Sequence, residues 1–389
     1  MTWSVVNAYR HLLAMESGAV VKDWGGKVPM ALVFPNTYHA GMSNLGFQSM
    51  YRLFNIFPDV VCGRVFLPDP ELTREYIRTG TPLLSLENQR PVGEFELIAF
   101  SLSFENDYPN VLKMLTLSRL GRRRDQRSET DPLILAGGVA MRSNPEPLAE
   151  FLDLVLIGDG EAIAAPLIRA WCDVRLESLP KKERLLHLAR NVPGAYAPAW
   201  YEAAFDPKGR LASFQPTHHQ IPAKVRPARA SDLPRPALTT QVLTPSTEFA
   251  DTRLVEIGRG CPHGCRFCLA GFVYRPPRYQ PRDIILETLG AAQKPGERIG
   301  LVGPSVADHP EIELLIRDLL AQGREVTVSS LRAEALTTGM IQDLARGRLK
   351  GAAIAPEAGS QRLRDLINKR LTETQILQGT ETLAKAGRN

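Results

Sequence analysis

The chain has 389 residues, 44% of them hydrophobic, and a formal net charge of +5. This length suggests two or three domains. The sequence shows no apolar stretch long enough to predict a membrane span and no N-terminal pattern that predicts secretion. The five cysteines do not form a disulfide framework, which suits a reducing compartment. Taken together, these features predict a cytoplasmic protein without a membrane partner.

The first half of the chain predicts a doubly wound parallel sheet. Residues 1–29 are an amphipathic lead-in, and residues 30–175 alternate short apolar runs with helical stretches, the pattern of an α/β domain. Helices are predicted at Phe47–Phe54, Asn110–Leu117 and Ala162–Trp171. Strands are predicted at Met30–Phe34, Val60–Phe66, Leu97–Ser103, Leu133–Ala136 and Leu154–Ile157.

Ligands of such sheets bind at the carboxyl ends of the strands. The candidate binding residues there are His39, Gly41, Ser101, Gly137, Gly138 and Gly158. The glycines also have a structural interpretation, because they permit tight turns between strand and helix. A dinucleotide site is poorly supported, since no G-x-G-x-x-G follows the first strand.

The dense basic run Arg122-Arg123-Arg124, with Arg127 nearby, lies between two of these strands. Such a run could contact RNA or another polyanion, but a solvated loop is the favoured interpretation. Nucleic acid therefore stays an unsupported partner. Residues 176–250 are rich in proline and predict a linker, in which Ala195–Tyr201 and Gly209–Phe214 could form a hairpin.

Residues 251–389 predict a partial parallel barrel of about four βα units, with chemistry on the loops after the strands. Strands are predicted at Leu254–Ile257, Ile299–Val302, Val326–Ser330 and Ala352–Ala355. Helices are predicted at Asp283–Ala292, Glu311–Gln322, Ala333–Leu344, Gln361–Asn368 and Glu373–Ala386.

Three cysteines, Cys261, Cys265 and Cys268, follow the first of these strands with the spacing C-x3-C-x2-C. Thiolates, usually four of them, hold iron–sulfur clusters. A loop that offers only three thiolates leaves one iron of a [4Fe–4S] cluster without a protein ligand. Catalytic metal sites keep such an open coordination position.

The alternatives to a cluster are a zinc site completed by His263 and thiols that lie together by chance. Zinc sites of this kind usually draw a second ligand pair from further along the chain. The remaining cysteines, Cys62 and Cys172, are solitary and far upstream, so the cluster is the favoured interpretation.

With Phe267 directly before the last cysteine, the motif resembles the radical S-adenosylmethionine (SAM) enzymes. The resemblance implies a [4Fe–4S] cluster, SAM chelated at the open iron, and an electron donor as a partner. In that superfamily SAM is cleaved to a 5′-deoxyadenosyl radical, which is chemistry that the cofactor supplies. Segments after the barrel strands match the same family and imply SAM contacts from Phe267, Pro304, Ser330, Arg332, Glu357 and Ser360.

Some of these residues also have other interpretations. Arg332 could pair with the SAM carboxylate through two parallel hydrogen bonds, but such an arginine is also often a surface residue. Ser360 is equally a helix N-cap. The turn Asp308-His309-Pro310 either holds a catalytic acid or base, or merely opens the next helix.

The loops of the first domain resemble those of the radical SAM subset that carries a cobalamin-binding domain. The matching segments are Phe34–Gly46, Ser101–Glu105, Ala136–Val139, Asn144–Pro147 and Ile157–Glu161. The resemblance implies cobalamin near His39, Gly41, Ser101, Gly137, Gly138 and Gly158. However, Asn36 and His39 stand where that subset has Asp and Glu, and the D-x-H-x-x-G pattern whose His ligates cobalt is absent. The domain could equally be a relic without a cofactor.

The radical SAM core has six βα units, so we expect this chain to be cut short within its barrel. The leading hypothesis is an enzyme that cleaves SAM reductively for hydrogen abstraction or cobalamin-dependent methyl transfer. The alternative is a truncated, non-catalytic protein that binds a cluster for redox sensing or depends on a partner. The substrate cannot be identified, because its contacts would come from segments beyond Asn389.

Overall fold

The computed structural model describes residues 3–292, 294, 296–328, 331–347 and 353–385. The chain forms two units. The first comprises Met1–Ala230 with Thr244–Glu248, and the second comprises Ser231–Leu243 with Phe249–Asn389. Within the described residues, no helix is long and apolar enough to cross a membrane.

The first unit is built on a six-stranded sheet. Its strands are β1 (Val28–Phe34), β2 (Val60–Phe66), β3 (Leu97–Ser101), β4 (Leu133–Gly137), β5 (Leu154–Leu156) and β6 (Ala195–Tyr196). They are ordered β2-β1-β3-β4-β5-β6, with β1 to β5 parallel and β6 antiparallel to β5. Every residue of β1 and β2 is buried, which explains their continuous apolar runs. The predicted doubly wound sheet is confirmed.

The helices of this unit are α1 (Trp3–Ala14), α2 (Tyr38–Met42), α3 (Leu45–Ile56), α4 (Pro70–Thr79), α5 (Tyr108–Leu117), α6 (Val139–Ser143), α7 (Gly160–Arg175) and α8 (Lys181–Asn191). Local sequence sets several of their ends. Asn44 caps α3 by accepting a hydrogen bond from the Phe47 amide, and Asp69 caps α4 directly before Pro70. Both are preferred N-cap residues, and proline suits the first helical position.

The segment predicted as a linker contains regular structure. Helix α8 packs against α7, and β6 pairs with β5 at the edge of the sheet. A hairpin forms from β7 (Tyr201–Phe205) and β8 (Leu211–Pro216). A hairpin is therefore present and its second strand overlaps the predicted Gly209–Phe214, but the predicted first strand Ala195–Tyr201 is wrong: the hairpin strand begins at Tyr201, and Ala195 and Tyr196 pair with β5 instead.

The second unit contains β9 (Thr252–Glu256), β10 (Gly258–Arg259), β11 (Arg278–Tyr279), β12 (Arg298–Val302) and β13 (Glu325–Val328). Strands β13, β12 and β9 form a parallel sheet in that order, and β10 pairs antiparallel with β11. Its helices are α9 (Ala270–Val273), α10 (Arg282–Leu289), α11 (Ile312–Ala321), α12 (Thr338–Arg346), α13 (Gln361–Leu366) and α14 (Glu373–Lys385).

This unit has the predicted form of a partial radical SAM barrel. Val255, Ile299 and Val326 lie in one buried core with Leu315 of α11 and Leu344 of α12. Beyond β13, Leu331 pairs in parallel with Ile354 through a single bridge. Most of the predicted strand Ala352–Ala355 lies within the described residues, which show this bridge at Ile354 and no regular strand.

Candidate metal centre

The three clustered cysteines lie on the loop between β10 and β11. All three are free thiols; Cys265 is buried, and Cys261 and Cys268 are half-buried. Gly260, directly before them, has φ +83°, and a Cβ there would lie 2.4 Å from the Tyr274 carbonyl oxygen. Only glycine fits that position without strain. The close approach therefore fixes where the cysteine loop begins.

The end of α13 holds this loop from the other side. The Arg266 amide donates to the Ile367 carbonyl (2.9 Å), and Arg266 Nη1 donates to the Leu366 carbonyl (2.7 Å). Asn368 Nδ2 donates to the Gly264 carbonyl over 2.7 Å. The guanidinium and the amide of Arg266 thus each satisfy one carbonyl that the C-terminus of α13 leaves unpaired. The sequence analysis did not detect these contacts, because they join residues about a hundred positions apart.

A third contact joins the loop to the turn after β12. His263 Nε2 donates to Asp308 Oδ2 over 2.8 Å. Burial raises the pKa of the Cys261 thiol, and the Asp308 carboxylate adds to that rise. His309, beside Asp308, has a different task. Its Nδ1 accepts from the Glu311 amide and its Nε2 donates to the Gln280 carbonyl, so both ring nitrogens are engaged by backbone where α11 begins.

The donor set suits an iron–sulfur cluster with one open position. The second unit supplies three thiols, because the other two cysteines belong to the first unit: Cys62 in β2 and Cys172 in α7. Burial raises the pKa of the Cys62 thiol, as expected of a core residue. The ligand atoms of Cys261, His263 and Asp308 lie within 4.8 Å of one another, so this group could also hold a single ion. Asp308 is a candidate ligand that sequence analysis did not assign to the zinc alternative.

Three of the residues predicted to contact SAM share one neighbour, Lys369. Lys369 Nζ lies 3.3 Å from Glu357 Oε1 and 5.9 Å from the ring centroid of Phe267. Its carbonyl accepts from Arg332 Nη2, while Arg332 Nε donates to Glu334. A bound carboxylate would have to compete with Glu334 for this guanidinium. Lys369 is buried, and the sequence analysis missed it.

The other predicted SAM residues are not brought into this group. Pro304 is exposed in the turn after β12. Ser360 is the N-cap of α13, where its side chain accepts from the Leu363 amide, in agreement with its structural interpretation. Ser330 lies outside the described residues. The roles of these residues towards SAM stay predictions.

Packing accounts for three of the four glycines predicted near cobalamin in the first unit. Gly138 (φ +107°) and Gly158 (φ +145°) would place a Cβ 2.3 Å from the Leu102 carbonyl oxygen and 2.1 Å from the Ala228 carbonyl oxygen. Gly41 packs against Phe66, where a Cβ would lie 2.5 Å from the ring. At Gly137 the nearest atom to such a Cβ is 3.4 Å away, so packing does not require glycine there.

The crevice beside β1 and β3, where the strand order reverses, is bridged by the chain itself. Asn36 Nδ2 donates to Asp107 Oδ1 over 2.8 Å, and Asn44 Nδ2 donates to Ser103 over 3.2 Å. His39 is exposed on α2, and Ser101 ends β3. The two contacts account for Asn36 and Asn44 without a cofactor, so these two residues do not by themselves select cobalamin.

The chain resembles known proteins along most of its length. The family described as Radical SAM proteins, N-terminal, matches residues 46–198, and the Radical SAM superfamily matches residues 255–389. Uncharacterized protein MJ0966 of Methanocaldococcus jannaschii is 28% identical over 363 residues, which are 92% of this chain and 67% of that protein.

A solved structure has a similar fold. The cobalamin-dependent S-adenosylmethionine radical enzyme OxsB, with aqua-cobalamin bound, aligns with a TM-score of 0.52 at 14% identity. The alignment covers 93% of this chain and 48% of OxsB, so the chain spans about half the length of that enzyme. The two matched domains, together with a three-cysteine loop beside a parallel sheet, show that this chain belongs to the radical SAM superfamily.

Proposed function

We propose that Cys261, Cys265 and Cys268 hold a [4Fe–4S] cluster and that the chain is part of an enzyme that cleaves SAM reductively. The observation that carries the proposal is the three-thiol loop, which is held to the end of α13 and to Asp308 by direct hydrogen bonds. When bound, the cluster supplies the electron that breaks a carbon–sulfur bond of SAM and so generates a radical for hydrogen abstraction.

The chain's own residues would bind and orient SAM. Phe267 presents an exposed ring beside the cysteines, while the Lys369 ammonium pairs with Glu357 and the Lys369 carbonyl accepts from the Arg332 guanidinium. Pro304, Ser330 and Ser360 complete the proposed set. Small errors in the position of reacting atoms cost orders of magnitude in rate. The hydrogen bonds that hold this loop in position therefore favour catalysis. We further propose a cytoplasmic location and an electron-donating partner; the substrate stays open.

Two narrower alternatives remain. The first alternative is the cobalamin-dependent methyl transfer that the sequence resemblance implies; the likeness of fold to an enzyme that binds cobalamin supports the cofactor and not the reaction. The partner-dependent alternative is a protein that keeps the cluster for redox sensing and does not turn over.

Anaerobic reconstitution with iron and sulfide tests the cluster. We expect about four irons per chain. Cys→Ala at 261, 265 or 268 should abolish the cluster, whereas Cys62→Ala and Cys172→Ala should not. Equal iron loss from the last two variants would contradict the assignment. Zinc should be measured in parallel, because one zinc per chain that disappears in Asp308→Ala and His263→Ala would favour the single-ion site instead.

Two further measurements separate the remaining functions. Formation of 5′-deoxyadenosine under strong reductant, measured by chromatography, distinguishes an enzyme from a non-catalytic cluster protein. Retention of hydroxocobalamin through gel filtration tests the methyl-transfer alternative. If the folded chain repeatedly elutes without hydroxocobalamin, the first unit keeps the fold of a cobalamin-binding domain but not its cofactor.

A further inference from the structure

A basic groove crosses the surface of the first unit. It has a volume of about 730 Å³ and lies between the end of α8, the approach to β6 and residues 219–228. Its lining includes Arg190, His219, Lys224 and Arg226, and no carboxylate occurs among the described residues that line it. The groove therefore concentrates positive charge in a chain whose overall charge is mild.

Three of these cations have no partner among the residues that the structure describes. Arg190, Lys224 and Arg226 are exposed, and none of them forms an ion pair or side-chain hydrogen bond with a described residue. The basic run that stood out in the sequence behaves differently. Arg123 pairs with Glu150, and Arg127 is buried against Asp153. The conspicuous run is thus paired with carboxylates of the same unit, whereas the dispersed cations have no such partner among the described residues.

Planar rings lie beside the cations. The exposed His219 ring, which lines the groove, stacks on His218 at 4.6 Å between centroids. His218 in turn meets the edge of Trp200 at 5.2 Å. Rings of this kind offer a platform for nucleobases, whose stacking does not depend on sequence.

We propose that this groove binds single-stranded nucleic acid, with phosphates on Arg190, Lys224 and Arg226 and a base stacked on His219. Unpaired cations along a groove provide the electrostatic part of such binding, and the adjacent rings favour a strand with open bases over other polyanions. The proposal does not depend on the cluster, because groove and cysteine loop belong to different units.

Fluorescence anisotropy of the whole chain with a labelled oligouridylate of about 20 nucleotides tests the proposal. The triple variant R190E/K224E/R226E should bind at least about tenfold more weakly. Each phosphate contact on a single strand contributes about 0.7 to the slope of log affinity against log salt. Loss of three contacts should therefore make the slope shallower by about 2.

A matched control carries the same charge change elsewhere. Arg52, Arg74 and Lys113 are exposed residues of the first unit without an ion pair among the described residues. R52E/R74E/K113E should keep the wild-type slope. An equal loss of affinity in both triple variants would show that the oligonucleotide is attracted by the overall charge, and would contradict the groove as its binding site.

Two further arms separate nucleic acid from other anions. H219A should weaken binding of the oligonucleotide but not of inorganic polyphosphate, because only the former stacks. Preferential binding of polyglutamate, or of vesicles with about one-third phosphatidylserine, would overturn the assignment of the ligand. Crosslinks from a 4-thiouridine oligonucleotide to the unmodified chain should map to residues 189–228. A map that avoids this segment would also overturn the proposal, whether or not the variants fold.

Discussion

His263 Nε2 donates a hydrogen bond to Asp308 Oδ2 over 2.8 Å, and this contact joins the cysteine loop to the turn after β12. Hydrogen bonds to charged groups contribute about 1.5–3 kcal/mol. In Asp308→Ala we therefore expect amide exchange at residues 261–268 to quicken at least about tenfold in the metal-free chain.

Asp318→Ala is the control for this change. Asp318 lies on α11 and pairs with Arg282, so its loss should leave exchange in the cysteine loop unchanged. Unaltered exchange in Asp308→Ala would mean that the contact does not hold the loop.

Asn368 allows the hydrogen bond and the backbone strain to be separated. It has φ +55° and donates to the Gly264 carbonyl. Asn368→Ala removes the side-chain hydrogen bonds and keeps a Cβ in the left-handed region, whereas Asn368→Gly also removes that Cβ and so relieves a strain of about 1–2 kcal/mol. We expect Asn368→Ala to be the less stable of the two by about that amount in urea denaturation. Equal stability would show that the local backbone relaxes.

The glycines of the first unit distinguish packing from ligand binding. Gly138→Ala and Gly158→Ala should each destabilise the chain by more than about 2 kcal/mol, because the new Cβ meets backbone and φ is positive. Gly137→Ala should be nearly neutral, since its nearest neighbour is 3.4 Å away. Thermal unfolding without any cofactor makes the comparison. If all three variants were equally stable, packing would not explain Gly138 and Gly158, and ligand binding would be the remaining explanation.

Arg64 is the centre of a buried ionic group in the first unit. It pairs with Glu16 and Glu87, each at 2.6 Å, and burial leaves all three side chains almost without solvent contact. Arg64→Met would leave two buried carboxylates without their cation, which costs about 3–5 kcal/mol. Denaturant unfolding should show this loss. Arg78→Met, which removes a solvent-exposed ion pair with Glu75, should change stability little.

Asp107 should give the stability a dependence on pH. Burial raises its pKa, and hydrogen bonds from Asn36 and Asn110 oppose that rise. A carboxyl group with a raised pKa stabilises the folded state at low pH and loses this contribution as pH rises through the folded pKa.

Asp107→Asn keeps an acceptor oxygen and removes the charge. We expect the variant to be more stable than wild type at pH 7, and the difference to close as pH falls to about 4, near the pKa of an exposed aspartate. Urea unfolding at both pH values provides the measurement. A difference that is the same at both would point to a cause other than ionisation.

The sequence by itself determined the elements whose signals are local. The strand Val60–Phe66 has the predicted bounds, because a parallel strand that is buried on both faces shows a nearly continuous run of apolar residues in the sequence. The cysteine spacing likewise identified the radical SAM loop, since all three cysteines lie within eight residues. The helix 333–344 was placed too early: α12 begins at Thr338, where the Thr337 side chain caps it.

Tertiary structure alone decided what surrounds the cysteine loop. Asp308 lies 45 positions from His263 and Asn368 lies 104 positions from Gly264, yet both hydrogen-bond to the loop. Lys369, beside three predicted SAM residues, and the unpaired cations of the basic groove carry no local signature either. Hydrophobic periodicity reports which face of an element is buried, but it does not report which distant residues meet there. Those pairings depend on how the strands and helices of each unit pack together.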